Sequence, residues 1–257
     1  MKTLTLAAAA VVLCMALPSR AGSTCEERSG AGTGALIELY TSEGCSSCPP
    51  AERQLGQLRQ QLDANAVVVA LALHVSYWDE LGWKDIFAQK IFDARQSELL
   101  KNRQRPAVVY TPQIFVNGAE LRTWHADLPG AIQHINATPA PLTITLKFTP
   151  GTSDGALLVA SVAAPKAHIS GALYLAISES GLVSRVLRGE NSGVTLRHDD
   201  TVRILLGPIK LAQGNARVRQ QVKLAADWQR RNLHAIAFVQ GDAGAGVLQV
   251  VSTALCD

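Results

Sequence analysis

Residues 35–55 read ALIELYTSEGCSSCPPAERQL and join a short apolar run to two cysteines and a pair of prolines. The run at 35–42 has few polar positions, which predicts a buried strand. After Pro49, leucines recur three and four residues apart, a spacing typical of one helix face. Because proline fits only the first turn of a helix, we expect the helix to begin near Ser47 or Cys48.

Strand and helix patterns alternate through the rest of the first half. Continuous apolar residues at 66–73 predict a central parallel strand, and the amphipathic run at 84–102 predicts a second helix. Asn117-Gly118 between two apolar runs predicts a hairpin, and 127–135 predicts a short closing helix. The order β-α-β-α-β-β-α predicts a parallel strand pair with right-handed crossovers, extended by an antiparallel hairpin, with helices on both faces.

The pattern changes after a linker-like stretch, TPAPL, at 138–142. Beyond it, about eight strand-length runs with a period of two are separated by Gly, Pro, Asp and Asn. Such runs without convincing helices predict an antiparallel sandwich. We therefore expect an α/β domain at 22–138, followed by an all-β, sandwich-like domain at 139–257.

The first 21 residues have the pattern of a secretory signal peptide: Lys2, an apolar run at 4–17 and a small residue at Ala21. The apolar run is too short to span a bilayer, so we expect a soluble, periplasmic or secreted mature chain without a transmembrane segment. Cleavage would remove Lys2 and Arg20, which lowers the number of basic residues from 24 to 22. With 21 acidic residues, the mature chain would have a net charge of +1. That balance gives no electrostatic basis for binding nucleic acid or a membrane surface.

Four cysteines follow the predicted cleavage site, and an even number in an exported chain predicts disulfides. Three pairings are possible. The short spacing favours Cys45–Cys48, which leaves Cys25 to pair with Cys256 and tie together the two ends of the mature chain. A loop that long would stabilise the fold by about 5 kcal/mol in the chain-entropy model. The alternative is that the two terminal cysteines are free.

A cysteine pair between a buried strand and a helix is suited to thiol chemistry. Backbone N–H groups at a helix start carry partial positive charge, which favours a thiolate and lowers the pKa of a cysteine. We assign Cys45 as the attacking sulfur, open to a cysteine-containing protein or a small thiol or disulfide. Cys48, one turn further and more buried, would resolve the mixed disulfide, and no cofactor is needed.

The chain resembles the thioredoxin superfamily over residues 34–137, through ALIELYTSEGCSSC, the order of elements and YTPQIFVNG. The resemblance implies that the Thr111–Pro112 peptide bond is cis, faces the cysteine pair and binds substrate. It also implies a buried acid in the preceding strand that moves a proton, and Glu38 is the candidate. Because the stretch from strand to cysteines is one residue longer than in thioredoxin, Glu38 facing elsewhere is the alternative.

The whole chain is more similar to a narrower group, the domain-of-unknown-function 1223 family of exported bacterial proteins. The stretches that carry this similarity are LYTSEGCSSCPPAE, LHVSYWDELGWKD, YTPQIFVNG, RGENSG and a late AFVQ. They lie in both halves of the chain. The resemblance supports the predictions of fold and export, and it implies no particular activity.

The segment HVSYWDELGWKD at 74–85 follows the second strand, where loops of open α/β sheets bind ligands. We expect His74, Tyr77 and Trp78 to wall a groove beside Cys45, with apolar area for a peptide. The alternative is that the aromatic residues belong to the core and that the histidine is structural.

Three functions fit these motifs, and thiol–disulfide exchange is the one we favour. The second is an envelope binding protein with an inert Cys45–Cys48 bond. The third is a metal-binding module in which both thiolates and His74 hold copper(I) or zinc. Two sulfurs make a poor closed zinc site, so we assign no metal ligand. The polar stretch at 185–200 is interpreted as a solvated loop, with packing against the first domain as the alternative.

Overall fold

The computed structural model describes residues 25–101, 108–151, 154–166, 168–242 and 244–256. The predicted signal peptide at 1–21 lies outside the described residues. None of the helices within these ranges is long and apolar enough to cross a membrane.

The described part of the first half contains five strands and three α-helices, with these bounds: β1 (Cys25–Arg28), β2 (Ala35–Thr41), α1 (Cys48–Gln57), β3 (Val68–His74), α2 (Lys90–Lys101), β4 (Gln113–Val116), β5 (Ala119–Glu120) and α3 (Trp124–Asn136). The second half contains nine strands among its described residues: β6 (Thr143–Pro150), β7 (Gly155–Ala163), β8 (Gly171–Glu179), β9 (Leu182–Arg185), β10 (Thr195–His198), β11 (Thr201–Lys210), β12 (Ala216–Lys223), β13 (Leu233–Gly241) and β14 (Val247–Ala254).

The predicted succession of elements in the first half is present. The helix after the cysteines begins at Cys48, where the two following prolines occupy its first turn. β2 and β3 pair in parallel, and β4 pairs antiparallel with β2. β4 and β5 form the hairpin around Asn117 and Gly118, which have φ values of 44° and 78°. Local sequence patterns therefore predicted these pairings correctly.

The prediction of a separate α/β thioredoxin-like domain followed by a sandwich-like domain is wrong. One eight-stranded sheet runs through both halves in the order β14-β13-β8-β11-β3-β2-β4-β5, across the predicted boundary at residue 138. β11 pairs in parallel with β3, with Thr201 opposite Ala72, and so covers a strand edge that an isolated α/β unit would leave exposed. The chain is mostly β, with 44 % strand, 20 % helix and three sheets among the described residues.

One face of the long sheet packs against α2. Leu36 and Tyr40 of β2 share a buried cluster with Phe92 and Leu100 of α2 and with Phe238 of β13. Because this apolar cluster includes strands from both halves, its burial stabilises the two halves together rather than separately.

The opposite face of the long sheet is covered in two parts. Over the first-half strands, α1 and α3 contribute Leu55 and Leu128 to a cluster with Ile37 and Leu39. Over β8 and β13, a second sheet in the order β1-β6-β7-β12 packs face to face with the first. β2 is therefore buried on both sides, and every one of its residues is buried.

A disulfide joins Cys25 to Cys256, with the two Cα atoms 5.5 Å apart. Cys25 opens β1, an edge strand that pairs antiparallel with β6. Cys256 follows β14, which is an edge strand of the long sheet. The bond therefore connects the edge strands of two different sheets.

Candidate disulfide site

Cys45 and Cys48 form a disulfide at the start of α1, with their Cα atoms 5.4 Å apart. The helix begins at Cys48, and Ser47 is its N-cap residue without a side-chain capping bond. The Ser47 Oγ instead lies 3.3 Å from the Cys45 Sγ. Cys45 thus lies just outside the helix, beside its positive end, as the proline rule predicts.

Both sulfurs are enclosed in this oxidised form. Cys45 is 1 % exposed and Cys48 is 0 % exposed. The expectation of an open sulfur at Cys45 is therefore wrong for the disulfide form. A substrate reaches this bond only if its cover moves.

A loop from the second half, residues 187–193 (LRGENSG), is hydrogen-bonded to the cysteine segment, and we call it the cover loop. The Asn191 side-chain amide donates to the carbonyl oxygens of Glu43 and Cys45, at 2.8 and 3.0 Å. The backbone N–H of Ser46 donates to Glu190 Oε2 at 2.9 Å, and this bond lowers the pKa of the exposed Glu190 carboxyl. The interpretation of this stretch as a solvated loop is wrong at Asn191, which is buried.

The cover loop packs against Trp83 at Gly189. This residue has a φ of 75°, and a side chain there would place its Cβ 3.2 Å from the Cβ of Trp83. Glycine meets both demands, because it adopts positive φ without strain and leaves room for the Cβ of Trp83. The Trp83 Nε1 donates to Glu43 Oε2 at 2.7 Å. Trp83 therefore contacts both the cover loop and the segment just before the cysteines.

A cluster of ionisable side chains flanks the disulfide in the chain and in the fold: Glu43, His74, Asp85 and His198 are buried, and Glu52 is partly buried. Glu43 precedes the cysteines, and Glu52 lies one turn after Cys48 on α1. His74 is the last residue of β3, and Asp85 lies 11 residues further along the chain. His198 ends β10, so the second half completes a cluster that the first half begins.

Hydrogen bonds link the members of the cluster. His74 Nδ1 lies 2.7 Å from Asp85 Oδ2, which also accepts the backbone N–H of Glu43. His198 Nδ1 lies 2.7 Å from Glu52 Oε2, and its Nε2 lies 3.3 Å from Glu43 Oε1. Each imidazole therefore has at least one carboxylate partner.

These contacts decide the charge of both histidines. Burial alone would lower the pKa of His198, but hydrogen bonds to Glu43 and Glu52 outweigh it and raise that pKa to about 9. Burial also opposes the charge on His74, yet Asp85 raises the pKa of His74 above its ordinary value. The carboxyl of Asp85 responds in the opposite direction: burial would raise its pKa, and His74 lowers it.

Glu38, the predicted proton carrier, lies away from the cysteines. It is fully buried on the face of β2 that packs against α2, whereas α1 covers the other face. Its carboxylate accepts two hydrogen bonds from the guanidinium of Arg95, and Tyr40 Oη lies 3.4 Å from it. The structure thus gives Glu38 the alternative orientation, in an ion pair that holds α2 to the sheet.

The aromatic segment after β3 contacts the core rather than lining an open groove. His74 is fully buried, so the expectation that it walls a groove is wrong for this form. Tyr77 donates to Gln96 Oε1 at 3.2 Å and, with Trp78, packs against the cluster under α2. Trp78 also reaches the cysteine segment, since a Cβ on Gly44 would lie 3.6 Å from its ring.

The Thr111–Pro112 peptide bond is cis. The next residue, Gln113, pairs with Tyr40 near the end of β2, from which the chain continues to Cys45. Thr111 and Pro112 are partly exposed, and the Thr111 Oγ1 is buried without a hydrogen-bond partner among the described residues. The substrate-binding role of this dipeptide stays a prediction.

Sequence reasoning missed Glu43, Glu52, Asp85 and His198. Two of them had a signal, because Glu43 and Glu52 flank the cysteine motif within a few residues. His198 carried none beyond its place in a polar stretch. Its contact with Glu52 joins residues 146 positions apart, and no local pattern reports such a pairing.

Comparisons with known proteins address the family and the fold. Residues 36–240 match the model of a family described as protein of unknown function, DUF1223. The crystal structure of protein AGR_C_4864 from Agrobacterium tumefaciens is similar, with 21 % identity, a TM-score of 0.61 and coverage of 88 % of this chain and 96 % of that one. HBP35 of Porphyromonas gingivalis is also similar, with 15 % identity, a TM-score of 0.67 and coverage of 88 % of this chain and 76 % of that one. Identities this low show a shared fold alone. No curated protein sequence matches the chain with significance.

Proposed function

We propose that this chain, which belongs to the DUF1223 family, carries out thiol–disulfide exchange through Cys45 and Cys48. The observation that supports the proposal is a disulfide at a helix start under a loop that polar contacts hold in place. A bond between residues three apart closes a short ring, so it restricts the unfolded chain far less than a long loop does. The helix start favours the thiolate that forms on reduction.

The exchange proceeds in two balanced steps. In the reduced protein, the Cys45 thiolate attacks a substrate disulfide, a mixed disulfide forms, and one substrate sulfur leaves as thiolate. The Cys48 thiolate then attacks the Cys45 sulfur, the mixed disulfide breaks, and the second substrate sulfur leaves. The substrate gains two electrons and the cysteine pair loses two. The reverse steps oxidise a substrate dithiol, and the two reduction potentials set the direction.

The substrate in this proposal is a cysteine-containing protein or a small thiol or disulfide. Thr111 and Pro112 are its proposed positioning residues, because they lie at the end of β2 that leads to Cys45. Trp78 is an aromatic residue beside the cysteine segment, since a Cβ on Gly44 would lie 3.6 Å from its ring. Opening of the cover loop would expose this region together with the disulfide.

Export to the periplasm or the medium is part of the proposal. Two disulfides form within the described residues, Cys25–Cys256 and Cys45–Cys48. Disulfides persist in oxidising compartments and are rare in the cytosol, which supports this location.

A Cys48→Ala variant should accumulate a mixed disulfide at Cys45, because the resolving sulfur is absent. We expect one glutathione per chain after incubation with oxidised glutathione, read from the intact mass. Cys45→Ala is the matched control, and it should react at least about 10-fold more slowly, since Cys48 lies inside the helix turn. Equal reaction in both variants, or reaction no faster than in the urea-unfolded chain, would remove the assigned roles.

Asn191→Ala should speed the reduction of Cys45–Cys48 by dithiothreitol by about 30-fold, because two hydrogen bonds worth about 1 kcal/mol each would be lost from the closed state. The rate is measured by alkylating the released thiols and following the mass. Ser192→Ala is the matched control: its hydroxyl bonds Leu187 within the loop, so removing it leaves the contacts to the cysteine segment in place. Equal rates in the two variants would show that the loop does not gate the disulfide.

The second candidate function is a binding protein whose Cys45–Cys48 bond is inert. Complete burial of both sulfurs favours it. The two candidates differ in one measurement, since an inert bond resists dithiothreitol until the whole chain unfolds. A reduction rate that follows global unfolding across a urea series would select this second function.

A further inference from the structure

We propose that Glu52, His74 and His198 form a binding site for a divalent metal ion of the zinc class. One nitrogen from each histidine and one oxygen of Glu52 lie within 4.8 Å of one another. Two imidazoles with one carboxylate are a ligand set that zinc and other divalent transition metals accept. The site is separate from the disulfide, and it does not depend on thiol exchange.

His74 has one nitrogen available for such an ion. Its Nδ1 is occupied by Asp85 Oδ2 at 2.7 Å. Its Nε2 is fully buried and has no hydrogen-bond partner among the described residues. Burying a polar atom without a partner is costly, and a bound ion would satisfy it. A carboxylate on the far nitrogen is also the usual support of a metal-bound histidine.

His198 has polar partners on both ring nitrogens, and its proposed ligand atom is Nδ1. Its Nδ1 lies 2.7 Å from Glu52 Oε2, so this nitrogen faces the proposed carboxylate ligand. Its Nε2 lies 3.1 Å from Ser184 Oγ and 3.3 Å from Glu43 Oε1. The outward nitrogen is thus held by polar partners, which leaves the inward one for the ion.

Glu52 completes the set from α1. While one of its oxygens faces His198, the other accepts a hydrogen bond from Thr41 Oγ1 at 2.6 Å. All three donors stand on regular elements, α1 and the ends of β3 and β10, so their geometry is fixed by the fold. An ion would replace the protons that hold the cluster together in the metal-free chain.

These donors differ from the set considered on sequence grounds. That set used both thiolates of the cysteine motif with His74, but the sulfurs are joined in a disulfide. The carboxylate and the second histidine take their place, and His198 comes from the other half of the chain.

The test uses the untagged, oxidised full chain, refolded with Zn²⁺ and dialysed, with bound metal measured by mass spectrometry. We expect one zinc per chain, and reconstitution with Co²⁺ should give visible absorption bands from a low-symmetry site. His74→Ala and Glu52→Gln should each weaken binding by about 100-fold, and Asp85→Asn by about 10-fold, because a supporting carboxylate orients its histidine. His134→Ala, at an exposed histidine on α3, is the matched control and should bind as the parent does.

Two further measurements keep the test decisive if a cluster variant fails to fold. The parent chain should unfold at a higher temperature in excess Zn²⁺, because an ion that binds only the folded chain stabilises it. A Cys45→Ser/Cys48→Ser variant should retain the zinc, which separates this site from the thiols. Zinc lost with the cysteines, zinc unaffected by His74→Ala, or no zinc in the parent would each overturn the proposal.

Discussion

Replacing Arg95 with alanine is expected to destabilise the protein by about 3–5 kcal/mol, because it would leave a buried carboxylate without its partner. Arg95 Nε and Nη2 both donate to Glu38, which is completely buried. The guanidinium carbon also lies 4.6 Å from the ring centre of Tyr174 and 4.8 Å from that of Phe238. One side chain on α2 thus contacts β2, β8 and β13. Urea unfolding with both disulfides intact measures the loss.

Two companion variants identify the cause of that loss. Lys101→Ala removes a charge from the same helix, where Lys101 pairs with Glu98 in solvent, and should cost less than about 1 kcal/mol. The double variant Glu38→Leu/Arg95→Met replaces the pair with apolar side chains and should be more stable than Arg95→Ala alone. A loss in Arg95→Ala no larger than in Lys101→Ala would contradict the role assigned to the pair.

Removing the terminal disulfide with Cys25→Ser/Cys256→Ser should cost about 5 kcal/mol, because the bond closes a very long loop in the unfolded chain. The two residues are 231 positions apart. For a chain of this size, such a loss corresponds to a fall in melting temperature of about 10–20 °C. Differential scanning calorimetry without reductant measures it directly.

The cysteine pair at the helix start supplies the comparison. Cys45→Ser/Cys48→Ser opens a ring of only a few residues, so the same entropy model gives a loss of about 2 kcal/mol. The Cys25–Cys256 bond should therefore contribute more than twice as much to the free energy of unfolding as the Cys45–Cys48 bond does. If both double variants melted at the same temperature, loop length would not explain the stabilisation by either bond.

The sequence predicted the local elements well where one residue type restricts the backbone. Pro49 and Pro50 placed the helix start correctly, and Asn117-Gly118 placed the hairpin. The second helix was predicted too early, because α2 begins only at Lys90, after a turn. An apolar spacing alone does not mark where the first helical hydrogen bond forms.

The joined sheet could not be predicted, because strand pairing between distant segments leaves no local trace. β2 shows the difficulty: Leu36, Glu38 and Tyr40 lie on one face, Ile37 and Leu39 lie on the other, and both faces are buried. A strand buried on both sides has no amphipathic pattern to reveal which face meets the cysteine helix. The position of Glu38 was open for the same reason.

The candidate site was predictable only in its first-half part. The cysteine pair and its place before α1 followed from the motif, whereas the contact with Asn191 depends on a loop 146 residues away from Cys45. His198 is the extreme case, because a solvated polar stretch and a stretch that folds inward have the same composition.

The turn between β10 and β11 makes this protein sensitive to small changes in chain length. β10 ends at His198 and β11 begins at Thr201, so only two residues connect the two strands. Thr201 is also the residue through which β11 pairs with β3 among the described residues. Asp200 spans this gap with a φ of 53°. Successive strand residues point to opposite sides, so an indel here that shifted β10 by one residue along β9 would turn the imidazole away from Glu52. Homologues with an indel at this turn would keep their sheets and lose the ionic cluster.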